Sequence, residues 1–215
     1  MFYDYDVRAI PGKLGREFIR EHHYSRSCHN GPMCWGLFEG ERLLGVCAFA
    51  TPNSENVRAS VFGSEHKDSV TELHRLVVLD GTPTNTESYF IARAIRGLRE
   101  RRPRIRGVLS FADETEGHVG TIYQATNALY LGKTKARARF WRDREGRLRH
   151  PRQSGVNITP HRAAEMGWVA EWRDTKHRYL FLVGSKSDRK AARRLLKFDP
   201  MPYPKSVTRN QEEER

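Results

Sequence analysis

The sequence predicts an α/β fold, and three stretches carry that expectation. Residues 108–132, VLSFADETEGHVGTIYQATNALYLG, run from an apolar segment through an acidic turn and two glycines into a helix-like stretch, which reads as strand, polar turn, helix. Residues 34–38 and 43–49 are apolar runs around Glu39-Gly40-Glu41-Arg42, a β-hairpin signal with glycine in the turn. Residues 85–102 open with capping side chains, carry an apolar stripe at helical spacing and stop at Pro103.

Taken in order, residues 11–23 predict a first helix. Leu14, Phe18 and Ile19 face the core, and Gly12 and Gly15 weaken the helix. It ends in His22-His23-Tyr24-Ser25, more reactive groups in succession than a solubilising face needs, so His23 and Tyr24 are site candidates. After the hairpin, residues 51–68 mix Pro52, Asn53, Ser54 and scattered charges and predict a long loop. Residues 70–78, VTELHRLVV, predict a strand. Arg75 sits there among apolar neighbours and should meet an anionic partner or ligand, because an unpaired buried charge is expensive.

Residues 80–88 lead into the next helix, with Asn85 or Thr86 as cap and Ser88 in the first turn. Such a terminus is an anion site or an ordinary cap, and the residues fit both. Ile91, Ala94, Ile95 and Leu98 form its apolar stripe; Arg93, Arg96, Arg99 and Arg101 form its wet one. Asp113 ends the following strand before Gly117 and Gly120, where backbone approaches closely, and is the first site candidate. Residues 121–130 predict a helix with Ile122, Ala125 and Leu129 on one stripe and Tyr123, Thr126, Asn127 and Tyr130 beside it.

Residues 133–152 hold nine Lys and Arg against two acids, with alternation that predicts a basic β-hairpin. Cations neutralise phosphates and interleaved aromatics stack on bases, so Arg137, Arg139, Phe140, Trp141, Arg142 and Arg144 are expected to bind DNA. Thr159, Pro160 and Gly167 bracket a short helix, residues 176–183 a last strand, and residues 189–197 a basic helix. We expect one domain over 1–200 and a flexible tail over 201–215.

The charge balance agrees with that reading: 38 Lys and Arg against 26 Asp and Glu give +12 and favour a polyanionic partner. No apolar run of about 18 residues predicts a membrane span, and the N-terminus does not read as a secretory signal. Cys28, Cys34 and Cys47 form no C-x-x-C pair, which fits free thiols in a reducing cytoplasm.

Several blocks together resemble a known family. His22-His23-Tyr24-Ser25, Glu72-Leu73-His74-Arg75-Leu76, Asn85-Thr86-Glu87-Ser88, Ser110-Phe111-Ala112-Asp113, the stretch from Gly117 to Asn127, Lys176-His177-Arg178-Tyr179 and Pro202-Tyr203-Pro204-Lys205 are similar, in order and spacing, to the Mom family of phage DNA-modification proteins. The resemblance implies a GNAT-like fold, a mixed central sheet flanked by helices. It implies a phage-encoded transferase, acting in the host cytoplasm, that converts adenine in duplex DNA to an N6-carbamoylmethyl form and shields it from restriction. The family's site residues fall on His23, Tyr24, Arg75, Ser88, Asp113 and Tyr123.

One departure concerns the donor. GNAT enzymes hold the coenzyme A pyrophosphate in a glycine-rich turn, and residues 80–88 contain one glycine. Acetyl-CoA at Asn85, Thr86 and Ser88 therefore competes with another activated acyl or glycyl donor, such as a charged tRNA. A divalent metal such as iron on His23, Tyr24 and Asp113 would lack a compact ligand motif. A non-catalytic DNA-binding or anti-restriction protein would use the same basic surface, and a GNAT acyltransferase on another amine would need neither base stacking nor the hairpin. Gathering of His23, Tyr24, Arg75, Asp113 and Tyr123 in one cleft separates enzyme from binder. Oligomeric state, homodimer included, stays open.

Overall fold

Alternating apolar runs in the middle of the chain build a seven-stranded sheet, ordered β1 (Tyr5–Ile10), β2 (Met33–Glu39), β3 (Arg42–Ala50), β4 (Val70–Val78), β5 (Gly107–Asp113), β10 (Lys176–Leu182) and β6 (Leu129–Lys133). The computed structural model describes residues 4–134, 138–149, 158–173 and 175–205. Every neighbouring pair in the sheet is antiparallel except β4 and β5. The sheet is therefore mixed. A separate three-stranded sheet places β7 (Ala138–Arg142) between β8 (Leu148–Arg149) and β9 (Val169–Arg173).

The alternation of strand side chains decides what each face meets. On one face, Leu37, Cys47, Phe49, Leu73, Val108 and Tyr179 pack with Phe90, Ile91, Ala94 and Leu98 of α3 (Thr86–Arg101), and Ile122 and Tyr123 of α4 (Thr121–Ala125) join them. On the other, Ile19 of α1 (Gly12–His22) packs with Cys34, Val46 and Ala48. Beside it, α2 (Glu55–Phe62) and α6 (Lys186–Arg194) bring Val61, Phe62 and Ala192 onto Val70, Leu109 and Leu180. Each fully buried apolar side chain contributes about 1.5–3 kcal/mol, so the two faces together fix the sheet.

The feature that positions a site is a local failure of the sheet. The parallel ladder of β4 and β5 covers only Val70–Gly107, Thr71–Val108 and Glu72–Leu109. Beyond Glu72, β4 stays paired with β3, with an irregularity opposite Ala48 and Phe49 that leaves His74 outside the register. The two central strands therefore part. Ser110 bridges them where the ladder ends, its hydroxyl donating to the Leu73 carbonyl at 3.4 Å.

Several expectations need correction. Residues 51–68 are not a loop: α2 and a 3-10 turn, Ser64–Ser69, form there because Val61 and Phe62 bury against the sheet. The helix expected over 121–130 stops at Ala125, since Asn127 takes a left-handed backbone (φ 58°) and Leu129 and Tyr130 enter β6. The strands β1 and β9 were not expected at all. At the end of the described chain, Met201 bridges Tyr130, the Tyr203 hydroxyl donates to Ala128 O at 2.8 Å, and Gln124 Nε2 donates to Pro204 O at 3.3 Å. The start of the segment expected to be a flexible tail is thus held on β6; residues 206–215 lie outside the described residues. Of the described helices, none is long and apolar enough to cross a membrane.

A candidate active site between the parting strands

Where β4 and β5 separate, a cleft of about 1430 Å³ opens, and His23, Tyr24, Arg75, Asp113 and Tyr123 all line it. One wall is the split sheet with the ends of α1 and β5 and the start of α4. The other is the small sheet, which contributes Phe140, Arg142 and Leu148. Two glycines shape the turn between β5 and α4: Gly117 (φ 73°) and Gly120 (φ 81°) both take left-handed backbone, and a Cβ on Gly120 would strike the Tyr179 ring.

His23 lies just past the last turn of α1. Its Nδ1 accepts the Ser25 backbone N–H at 3.1 Å and lies 2.9 Å from Ser25 Oγ. A nitrogen that accepts a backbone N–H carries no proton, so the neutral ring presents Nε2–H. Burial, then the neighbouring Arg75, His74 and His118, lower its pKa to about 4. At neutral pH His23 is a neutral donor. Tyr24, 61% exposed, packs its ring on His23 (centroids 4.3 Å) and nears His118 (5.9 Å), forming an aromatic row at the cleft mouth.

Asp113 ends β5 with 10% of its side chain exposed, and its carboxylate meets Lys176 Nζ at 3.0 Å. Lys176 is placed by register, since it pairs with Asp113 across the β5–β10 ladder. Glu114 braces the same corner, accepting from Lys133 at 2.6 Å and Thr175 at 3.0 Å. Tyr123 packs against Tyr179 and Phe181 and hydrogen-bonds Ser110. Burial pushes its pKa up to about 12, so the phenol keeps its proton.

Arg75 differs from expectation. Among the described residues its hydrogen bonds go to neutral oxygens: Nε to Ser27 O (2.9 Å), Nη1 to His74 O (2.7 Å) and Nη2 to Ser27 Oγ (3.2 Å). These fix the guanidinium without cancelling its charge.

The structure does not bring every candidate together. Ser88 sits in the first turn of α3, outside the cleft lining, and its hydroxyl donates to Asn85 O at 2.9 Å; Thr86 donates to Pro83 O at 2.6 Å. Asn85 adopts a left-handed backbone (φ 71°) and makes no side-chain cap bond. Trp141 is only 4% exposed, because strand alternation turns it away from the face that carries Phe140 and Arg142. It cannot stack on a base from there. Arg142 lines the cleft with its Nε 2.6 Å from Glu171 Oε2, and Arg144 is exposed beside Gly167. Arg137 and the Arg139 side chain lie outside the described residues.

The donor set does not suit a metal. Among the described residues no three His, Cys, Asp or Glu side chains gather. His23 Nδ1 is engaged by Ser25 and Asp113 by Lys176. All three cysteines are free thiols, two of them buried.

Lys176, His118 and Leu148 are among the cleft residues that carried no expectation of a role. His118 stands between Gly117 and Gly120, a signal that could have flagged it. Lys176 meets Asp113 only through cross-strand register, which sequence spacing does not show.

Comparison with known proteins places this geometry in context. Residues 4–205 match the profile of the Mom protein family. The chain is similar to the methylcarbamoylase Mom of Escherichia phage Mu, with 34% identity over 127 residues, 59% of this chain and 53% of that protein. The match thus spans about half of the relative's length. Among solved structures, the chain is similar to the spermidine/spermine N-acetyltransferase SpeG from Vibrio cholerae in complex with manganese ions, at TM-score 0.50 and 9% identity, over 88% of this chain and 96% of that one. It is also similar to an N-acetyltransferase from Staphylococcus aureus Mu50, at TM-score 0.49 and 10% identity, over 85% and 100% of the two chains. The likeness to SpeG concerns the fold alone, a mixed sheet flanked by helices as the GNAT resemblance implied.

Proposed function

Because the chain belongs to the Mom protein family, we propose that it is a phage DNA-modification transferase whose active site is the cleft between β4 and β5. The observation that carries this reading is the gathering of His23, Tyr24, Arg75, Asp113 and Tyr123, from four separate parts of the sequence, in one cleft roofed by a basic sheet. A protein that only coats DNA needs a basic surface and no such pocket. The substrate is adenine in duplex DNA, and the product an N6-carbamoylmethyl-type adduct.

Adenine N6 is a weak nucleophile because its lone pair is delocalised into the ring, and it lies inside the duplex. The base must leave the stack, at a cost of a few kcal/mol recovered from stacking and phosphate contacts. Phe140 and Tyr24 offer ring faces for the extruded base. Asp113, ionised beside Lys176, accepts a hydrogen bond from the N6 amino group, then its proton as the new bond forms. Tyr123 and His23 keep their protons at neutral pH and serve as donors, not bases. Arg75 stabilises negative charge that develops on the donor, from a guanidinium already locked in place.

The first turn of α3 fits an anionic part of that donor, because its hydroxyls turn back on loop carbonyls and no side chain caps its N–H groups. A pyrophosphate or a tRNA phosphate would lie there against Asn85 and Ser88, with Thr86, buried and bonded to Pro83 O, shaping the turn, and the donor supplies an activated two-carbon unit. Chemistry narrows its class. A carbamoylmethyl group contains nitrogen, which an acetyl thioester does not provide, so a glycyl-type donor, whose carrier leaves as its free alcohol or thiol when N6 takes the two-carbon unit, accounts for the elemental composition of the adduct. Direct glycyl transfer gives an amide isomeric with the carbamoylmethyl adduct, of equal elemental increment.

Mass spectrometry of nucleosides from plasmid DNA, after expression of the chain in bacteria, tests the reading. A new adenosine species that is missing with Asp113→Ala supports it, and its fragmentation separates the two isomers. Tight duplex binding with no new species would favour the non-catalytic binder.

A further inference from the structure

We propose that Leu148 is the wedge that enters the duplex as the target adenine leaves it, an inference that rests on the DNA-modification reading. A base drawn out of the stack leaves an apolar gap, and the base returns unless something fills it. A wedge must be apolar, stand at the mouth of the site on a support that does not yield, and be flanked by groups that hold phosphates.

Leu148 meets each condition. It is 38% exposed, belongs to none of the three apolar clusters of the described core, and lines the cleft. Register places it opposite Arg142, two residues along β7 from the half-buried Phe140, so one face runs from a ring inside the cleft to an aliphatic side chain at its edge. Burying a leucine there on folding brings little, because β8 is only two residues long.

Its support is rigid. The Asp143 carboxylate, 2% exposed, accepts from the backbone N–H of Glu145 (3.1 Å) and Arg147 (2.7 Å), from Arg147 Nε (2.9 Å) and from Arg149 Nε (2.7 Å). The turn closes with Asp143 N–H donating to Arg147 O at 3.0 Å. Both neighbours of Leu148 are thereby tied to one buried carboxylate, and Arg147, whose Nη2 also meets Glu145 at 2.7 Å, keeps 61% of its side chain exposed beside the wedge, where a phosphate would compete with Glu145 for it.

The test compares a double-stranded phagemid with its single-stranded circle, each incubated with purified protein in a bacterial extract that supplies the donor. Leu148→Ala should modify the duplex about tenfold less than wild type or worse, match wild type on the single strand to within about twofold, and regain duplex activity as Leu148→Met. Equal duplex modification by the Ala variant, or equal loss on both DNA forms, overturns the wedge. A wild-type protein that modifies neither form removes the DNA-modification reading and the wedge with it. Permanganate oxidation gives a donor-free readout: wild type should raise the reactivity of thymines in bound duplex, and Leu148→Ala should not. An undiminished rise in the Ala variant contradicts the proposal.

Discussion

The two walls of the cleft are built by different physics. The wall of the split sheet is held by the apolar core on both of its faces, and most of its reactive side chains are fixed by hydrogen bonds with uncharged partners, Ser25 N–H donating to His23, Ser110 bonding Tyr123 and Arg75 donating to Ser27, while Asp113 is held by Lys176. The small sheet carries little core of its own and is braced by ions, with Asp143 gathering Arg147 and Arg149 and Glu171 holding Arg142. Burial pulls the Asp143 pKa upward, yet the hydrogen bonds from Arg147 and Arg149 outweigh it and hold the carboxyl well below the usual carboxylate range. Precise placement comes from packing, and grip comes from charge. Salt should therefore act more on the small sheet than on the split one.

The largest effect that would sharpen this contrast is at Arg75. Arg75→Ala should lower modification by about 100-fold or more, as loss of one preorganised donor does, while duplex affinity changes little. A parallel loss of both would move Arg75 to the gripping wall. Next, Arg142→Ala with Arg144→Ala should weaken duplex binding and lessen the slope of log affinity against log salt by about 2, one for each phosphate contact. An unchanged slope, read by fluorescence anisotropy across salt, would break the assignment of grip to the small sheet.

The smallest effect concerns protons. His23 stays neutral in the folded chain down to about pH 4, while the unfolded chain takes up the proton near 6.5. Its contribution to stability is complete above pH 6.5 and is lost as pH falls from about 6.5 towards 4. The His23 ring resonances should titrate near 4 by NMR, and activity between pH 5 and 8 should show no limb from this residue. A midpoint near 6.5 would mean that the ring is not buried beside Arg75 as described.

The same division explains what could be read from the sequence. The split-sheet wall was largely legible, because β4 sets Arg75 among apolar residues and β5 is a mainly apolar run ending in Asp113, and five of the six family-implied residues line the cleft. Helix α2 was hidden, since Pro52, Asn53, Ser54 and its charges mask the pair Val61 and Phe62. The small sheet was legible as a basic hairpin, but period two forbids Phe140 and Trp141 from sharing a face, and only the fold says which one points inward. Lys176 opposite Asp113 depends on register between segments about sixty residues apart, which no local pattern encodes. Ser88 shows the reverse case: the motif is visible in the sequence, and the fold sets it at the start of α3, outside the cleft lining.

The central claim, that chemistry resides on the split sheet while DNA is gripped by the small one, is tested most directly with Asp113→Asn. The isosteric amide keeps the shape of the site and removes the carboxylate proposed to receive the N6 proton. Duplex affinity and the yield of modified adenosine would be measured on one preparation. The account predicts wild-type affinity with modification reduced below detection; a fully active Asn variant, or loss of affinity in step with activity, would contradict it.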